Sequence, residues 1–191
     1  MVQKLKNVLI IGGARSGKSN YAQELALKFP QPVLFVATAE AGDEEMRQRI
    51  QKHRKARLAT WRTLEVTTHV GSHILQSIGG ARTVIVDCIT LLVNNIFGQH
   101  NDTTGELIDV RLIERAVKAE IRELVDCIGQ TKASFIIVTN EVGLGLVPAN
   151  KINRLYRDLL GKANQMLAQH VDEVYLMAAG LPVKVKPICN C

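Results

Sequence analysis

Aromatic residues are scarce in this 191-residue chain, at 4% of the total. Any core must therefore come from Val, Ile, Leu and Ala, which dominate an apolar share of 47%. At this length about 70% of the surface of an unfolded chain can be buried. Long hydrophobic runs are missing too. The apolar run behind Lys4 and Lys6 stops at Gly12 and Gly13, too short for a secretory segment or a membrane span. A cytoplasmic protein with no membrane span is expected. Four cysteines (Cys88, Cys127, Cys189 and Cys191) do not make a disulfide framework in a chain of this size, so they are expected reduced. The Cys189-Asn190-Cys191 ending has no two further ligands nearby and reads as an irregular tail rather than a metal site. There is no basic tail and no basic patch interleaved with aromatics. The formal charge of +6 thus speaks for nucleotides and other small anions, not for nucleic acid. Repeats, low-complexity stretches and linkers are absent, so one domain over 1–191 is expected, irregular over 186–191.

Short apolar runs alternate with helical patterns. Val8–Ile11, Val33–Ala37, Thr83–Asp87, Phe135–Thr139 and Val174–Met177 are mostly unbroken in their apolar character, which marks strands covered on both faces. Leu112, Ala116, Val117, Ile121, Leu124 and Ile128 share one helix face; Ile152, Leu155, Tyr156, Leu159, Ala163, Met166 and Leu167 share another. This is the signature of βαβ units in an α/β fold with a mostly parallel sheet flanked by helices. Leu181–Val185 follows Gly180 too closely for a helical crossover and is predicted to return as an antiparallel edge strand. The polar stretch Gly98–Gly105 reads as an exposed loop.

The richest stretch is Gly12-Gly13-Ala14-Arg15-Ser16-Gly17-Lys18-Ser19. It fits G-x-x-x-x-G-K-[ST], with an apolar strand before it and a helical set (Tyr21, Ala22, Leu25, Ala26, Phe29) after it. In that setting the glycines let backbone N–H groups wrap phosphate oxygens, and the helix aims its positive end at them. Lys18 is placed to reach β- and γ-phosphates, and the Ser19 hydroxyl to ligate Mg²⁺. Without that context the stretch would be only a glycine-rich turn with a lysine.

Asp87 closes the run Val84-Ile85-Val86-Asp87. A carboxylate at a strand's C-terminal end can hold Mg²⁺ beside a phosphate loop, or merely cap the next turn. The segment Asp43–Arg57 runs from acids to bases, as a helix dipole favours. Its thin apolar stripe is Met46 and Ile50, and His53 falls on the same stripe. Two readings of His53 stand: a satisfied inward histidine on a solvated basic helix, or a neutral imidazole among cations that lower its pKa and free a ring nitrogen to attack phosphorus. Asn140 and Glu141, in Thr139-Asn140-Glu141-Val142-Gly143, end a buried strand on the same rim and suit either a turn or substrate positioning. Glu65 can meet a ribose hydroxyl or pair with a base of the charged helix. His69, His73, His100 and His170 have no partners at metal spacing and read as ordinary.

Taken in order, these motifs resemble the bifunctional adenosylcobinamide kinase/adenosylcobinamide-phosphate guanylyltransferase family of cobalamin biosynthesis. The segments that carry the likeness are the loop at 12–19, Ala37-Thr38-Ala39, Arg49-Ile50 with His53-Arg54 and Arg57, Trp61-Arg62-Thr63-Leu64-Glu65, Asp87-Cys88-Ile89-Thr90 and Thr139–Gly143 through Val147-Pro148. The resemblance runs from the first strand to Val185 and implies a RecA-like phosphate-loop fold assembling as a trimer. It also implies ATP or GTP as phosphoryl donor to the aminopropanol hydroxyl of a corrinoid, with Mg²⁺, and then transfer of GMP from GTP through a guanylylated histidine. By position that histidine is His53, with Lys52 where some relatives carry a second histidine. Catalytic roles thus fall to His53, Lys18 and Asp87. Nucleotide contacts carry over to the loop at 12–19, Ala37, Thr38, Ala39, Arg54, Lys55, Ala56, Arg57, Glu65 and Asp87. Ala56 and Leu58 stand where Gly and Pro are common in the family, so the loop there can differ in shape. Two other functions fit the residues alone: a simple phosphate-loop kinase of a small alcohol with His53 structural, and a nucleotide-switched module whose basic helix holds an acidic partner.

Overall fold

A computed structural model of the chain describes residues 5–40, 42, 44, 47, 48, 50, 51, 54, 57–100 and 109–187. Seven strands form one sheet in the order β3-β2-β4-β5-β1-β6-β7. They are β1 (Val8–Gly12), β2 (Val33–Ala37), β3 (Arg62–Glu65), β4 (Thr83–Asp87), β5 (Ser134–Asn140), β6 (Glu173–Ala178) and β7 (Leu181–Lys186). The helices completed among the described residues are α1 (Lys18–Ala26), α2 (Val70–Ser77), α3 (Ile89–His100), α4 (Val110–Gln130) and α5 (Lys151–His170). Neighbouring strands pair in parallel from β3 through to β6, and β6 pairs antiparallel with β7. That edge matches the expectation from Leu181–Val185, except that β7 extends through Lys186 into the segment expected to be irregular. Residues 188–191 lie outside the described residues.

The central strands are unbroken apolar runs because both their faces are covered. On one face Leu9, Leu34, Val36, Val84, Val86, Phe135 and Ile137 pack against apolar faces of α2, α3, α4 and α5. On the other Val8, Ile10, Phe35, Ile85, Ile136 and Val138 meet Ala22 and Ala26 of α1 and the ring of Trp61. The first layer is deep and the second is thin. Helices α4 and α5 start on side-chain caps. The Asp109 carboxylate accepts from the N–H groups of Arg111 and Leu112, and the Asn150 side chain accepts from Ile152, as N-cap residues do. At the start of α2 the buried Glu120 of α4 accepts from His69 and Val70 N–H at 2.8 Å each. Glu123 adds an acceptor for Ser72 N–H at 2.7 Å.

Three elements depart from the sequence reading. β3 is an exposed edge strand whose Arg-Thr-Leu-Glu sequence carries no apolar run. Gly98, Gln99 and His100 end helix α3 rather than begin a loop, and residues 101–108 lie outside the described residues. α2 is a short helix over residues assigned to no element from the sequence.

Parallel pairing carries a functional consequence. It brings the C-terminal ends of β1, β2, β3, β4, β5 and β6 to one rim, with Ala37 beside Glu65 and Asp87, and Gly12 beside Asn140 and Met177.

Candidate nucleotide site on the C-terminal rim

The loop between β1 and α1 is held tightly from behind. A Cβ at Gly12 would lie 2.7 Å from the Met177 carbonyl oxygen and 2.8 Å from Ser16 Oγ. Gly17 has φ +95°, and a Cβ there would come within 3.1 Å of Gly180 Cα. The Gly180 N–H donates to the Ser16 carbonyl at 3.1 Å, and the Glu141 N–H donates to Gly12 at 3.0 Å. Gly13, Ala14 and Arg15 are exposed at the crest, whereas Lys18 is buried and Ser19 half-buried. The Lys18 ammonium donates to the Gly13 carbonyl at 2.5 Å and to Ser16 Oγ at 3.4 Å. The loop therefore keeps its cation close over its own backbone, where phosphate oxygens would meet it.

Asp87 ends β4 half-buried. Its neighbour Cys88 is fixed from the β2 side. The Thr38 hydroxyl donates to the Cys88 carbonyl at 2.7 Å and accepts from the Cys88 N–H at 2.8 Å, and the Thr38 N–H reaches the Asp87 carbonyl at 3.2 Å. Thr38, expected among the nucleotide contacts, is fully buried with its hydroxyl bonded on both sides. Its role in this geometry is to hold the strand end that carries Asp87. Burial, and then the Asp87 charge, push the Cys88 thiol up to about 12, so it stays protonated at neutral pH and is no nucleophile.

Oxygen donors on this rim fit a hard cation. Ser19 supplies a hydroxyl and Asp87 a carboxylate, and Mg²⁺ needs only one or two protein ligands when phosphates and water supply the rest. No group of three or more His, Cys, Asp or Glu side chains suited to a metal occurs among the described residues.

The basic segment borders the opposite end of the rim. Arg54 grips Glu65 through Nε and Nη2, at 2.8 and 2.5 Å. Both side chains are about half exposed. Arg57 is placed differently. Its guanidinium lies 4.0 Å above the centre of the Phe35 ring, and its Nε and Nη1 are buried with no hydrogen-bond partner among the described residues. Burial lowers the Arg57 pKa, and the Asp87 and Glu65 carboxylates oppose that. Two buried cationic donors without acceptors are costly alone and fit an anionic oxygen. A cleft of about 670 Å³ opens beside the Arg54–Glu65 pair, lined in part by Ala39, Glu40, Arg54, Glu65, Thr67 and His73. His53, Lys55 and Ala56 lie outside the described residues.

Sequence reasoning did not single out several residues that shape this rim. His73, read as ordinary, lines the cleft. Asn95 donates through Nδ2 to the Thr38 carbonyl at 2.8 Å and the Thr67 carbonyl at 3.0 Å, lacing the ends of β2 and β3 together. Asn164 does similar work around Asn140, alongside Thr90 of the Asp87-Cys88-Ile89-Thr90 segment. The signal was a polar residue on an otherwise apolar helix face, such as Asn164 between Leu160 and Leu167.

With this geometry described, the likeness to known proteins is informative. The family model for cobinamide kinase / cobinamide phosphate guanyltransferase matches residues 8–185. The bifunctional adenosylcobalamin biosynthesis protein CobU of Salmonella typhimurium is 41% identical over 180 residues, spanning 94% of this chain and 99% of the relative. CobP of Pseudomonas aeruginosa, described in the same words, is 38% identical over 178 residues, spanning 93% and 96%. Among solved structures, the RadB recombinase superposes with a TM-score of 0.50 at 14% identity, over 90% of this chain and 73% of that one. That likeness concerns the fold alone and agrees with a RecA-like phosphate-loop architecture. From a match that runs from the first strand to the last, the chain belongs to the cobinamide kinase / cobinamide phosphate guanyltransferase family.

Proposed function

We propose that this chain is a two-reaction transferase of cobalamin biosynthesis. In the first reaction the γ-phosphoryl of ATP or GTP passes to the aminopropanol hydroxyl of adenosylcobinamide, releasing the nucleoside diphosphate and the hydroxyl proton. In the second a ring nitrogen of His53 attacks the α-phosphorus of GTP and pyrophosphate leaves. The phosphate of adenosylcobinamide phosphate then attacks the guanylylated histidine, giving adenosylcobinamide-GDP and free His53.

The observation that carries this reading is the shared rim. The phosphate loop, Asp87, Asn140 and Glu141 stand at strand ends of one sheet, and the Arg57 guanidinium lies over Phe35 of the neighbouring β2, in a chain matching the family model over residues 8–185. Lys18 and the loop N–H groups would hold β- and γ-phosphates. Ser19 and Asp87 would hold Mg²⁺, which when bound neutralises charge on the phosphate oxygens. Arg57, kept over Phe35, would meet a phosphoryl oxygen. Arg54, Lys55, Ala56 and Glu65 would border the nucleoside, and Asn140 and Glu141 would position the acceptor. Assembly as a trimer and a cytoplasmic setting belong to the same proposal. Among the described residues no helix is long and apolar enough to cross a membrane.

The test uses GTP labelled at the α-phosphate. Incubated with the label and Mg²⁺, the denatured protein should gain the mass of GMP through an acid-labile bond. With adenosylcobinamide present, that label should move to adenosylcobinamide-GDP. Phosphorylated corrinoid without an adduct at any time leaves only the simple kinase. Slow nucleotide hydrolysis with no phosphorylated corrinoid leaves the switched binding module.

A further inference from the structure

Asn140 stands at the end of β5 with both of its backbone groups held by buried side chains from two helices. Its N–H donates to Thr90 Oγ1 at 2.7 Å, and its carbonyl accepts from Asn164 Nδ2 at 3.1 Å. The same Asn164 accepts from the Thr139 hydroxyl through Oδ1 at 2.7 Å. Thr90 is itself fixed, because the Tyr156 hydroxyl donates to its carbonyl at 2.9 Å, and Tyr156 packs edge-on against Phe97 at 5.4 Å. One residue further on, Glu141 is tied to the phosphate loop through Gly12. Thr90 and Asn164 are 8% and 6% exposed, so each hydrogen bond is made away from water.

Such an arrangement is expensive to build. A buried hydroxyl or carboxamide costs free energy unless fully bonded, and an apolar residue at either position would pack without that risk. Pairing with β1 continues through Asn140 beside Gly12, whereas pairing with β4 ends at Val138 beside Asp87; past that point these two side chains take the place of a strand partner for the Asn140 backbone. We propose that Thr90 and Asn164 are positioning residues for the reaction: they fix Asn140 so that its carboxamide, which is half-buried at the rim, meets the acceptor phosphate or hydroxyl beside the phosphate loop. This rests on the two-reaction reading above. It assigns Thr90 and Asn164 no contact with substrate; they act through Asn140.

The test compares Thr90→Val, Thr90→Ser and Asn164→Leu with Thr83→Val. Thr83 is a fully buried threonine at the other end of β4, where its hydroxyl donates to the Pro30 carbonyl at 2.7 Å. Thr90→Val keeps the shape and removes the acceptor for the Asn140 N–H. Its kcat for phosphoryl transfer should fall by about tenfold to a hundredfold, the scale of a misplacement near 1 Å, while the KM for nucleotide stays within about twofold. Thr90→Ser should restore the rate. Thr83→Val should lose thermal stability with kcat unchanged. Amide exchange at Asn140 should speed up in Thr90→Val and not in Thr83→Val. The inference is overturned if Thr90→Val loses stability yet keeps its rate, if Thr83→Val loses as much rate, or if Asn140 exchange does not change. Should Asn164→Leu fail to fold, the Thr90 pair decides. Should wild type leave adenosylcobinamide unphosphorylated, the two-reaction reading falls, and the same variants are then judged on nucleotide hydrolysis and Asn140 exchange.

Discussion

The phosphate loop and the basic segment flank one rim and are built on opposite plans. The loop is locked by backbone. Its glycines lie against Met177 and Gly180, its carbonyls are bonded to Gly180 and Glu141, and its lysine is buried. Apart from Arg57 over Phe35, the described part of the basic segment is held by side chains at the surface. Arg47 pairs with Glu44 and Arg54 with Glu65, with all four side chains roughly half exposed or more, and such pairs contribute about 0–1 kcal/mol each. Phosphoryl transfer needs a cradle already shaped for phosphate oxygens, since preorganised charge carries much of the rate. Under the proposed function the other segment would present a nucleophile, and exposed ion pairs of this kind break cheaply. On the proposed reading, phosphoryl transfer would belong to the backbone-locked half and guanylyl transfer to the half held by side chains.

His53→Ala gives the sharpest break between the halves. The GMP adduct should vanish entirely while adenosylcobinamide is still phosphorylated, because the loop, Mg²⁺ and a positioned hydroxyl suffice for the first reaction. Mass measurement after incubation with GTP decides it; an adduct on the variant would place the nucleophile elsewhere. Next in size is Lys18→Ala, which should cost about a hundredfold to a thousandfold in both reactions, the scale for losing one preorganised charge contact. Near-normal turnover at saturating nucleotide would show that the rigid half does not depend on its cation. Asp87→Asn should move the Mg²⁺ titration of activity to higher concentration by roughly tenfold while metal-free nucleotide binding changes little. Superimposable titrations would remove Asp87 from the metal site.

Two smaller effects probe the supports. Glu173, buried on β6, opposes its own burial with hydrogen bonds from Lys184, Lys6 and Tyr175, and these hold its pKa below the ordinary 4.5. A carboxylate with a depressed native pKa stabilises the fold above its unfolded value, and that stability is lost as pH falls from about 4.5 through the native value. Glu173→Gln should therefore lower thermal stability near neutral pH by about 1–3 kcal/mol and flatten its decline below pH 4.5; parallel melting curves against pH would refute the linkage. Arg54→Ala should be smallest in stability, under about 1 kcal/mol because the pair with Glu65 is exposed, yet raise the KM for GTP several-fold. A large loss of stability would mean that this segment is not loosely held.

What could be read from the sequence followed burial. β1, β2, β4 and β5 are covered on both faces, so their apolar runs are continuous and visible. β3 lies at the edge with Arg62, Thr63 and Glu65 exposed, and nothing in Arg-Thr-Leu-Glu distinguishes a strand from a turn. α3 was legible in principle, since Ile89, Leu92, Val93, Ile96 and Phe97 fall at helical spacing and are buried, but the glycine and polar residues that follow read as loop. For the site, the phosphate motif is contiguous and Asp87 ends an apolar run, so both are visible along the chain. The lacing by Thr38, Thr90, Asn95 and Asn164 depends on pairings some 25 to 57 residues apart, which no local pattern records. Nor does any pattern indicate that Arg57 would lie over Phe35.

Gly180 sits in the turn between β6 and β7 with φ +83°, touching the back of Gly17 and donating to Ser16. The fingerprint for binding phosphate is written in eight letters near the start of the chain, but the object it encodes has a ninth part near the end. A graft of residues 12–19 into another scaffold would copy the words and leave out the wall they lean on. A shortened or re-paired terminal hairpin would unseat the phosphate cradle without altering one letter of its motif.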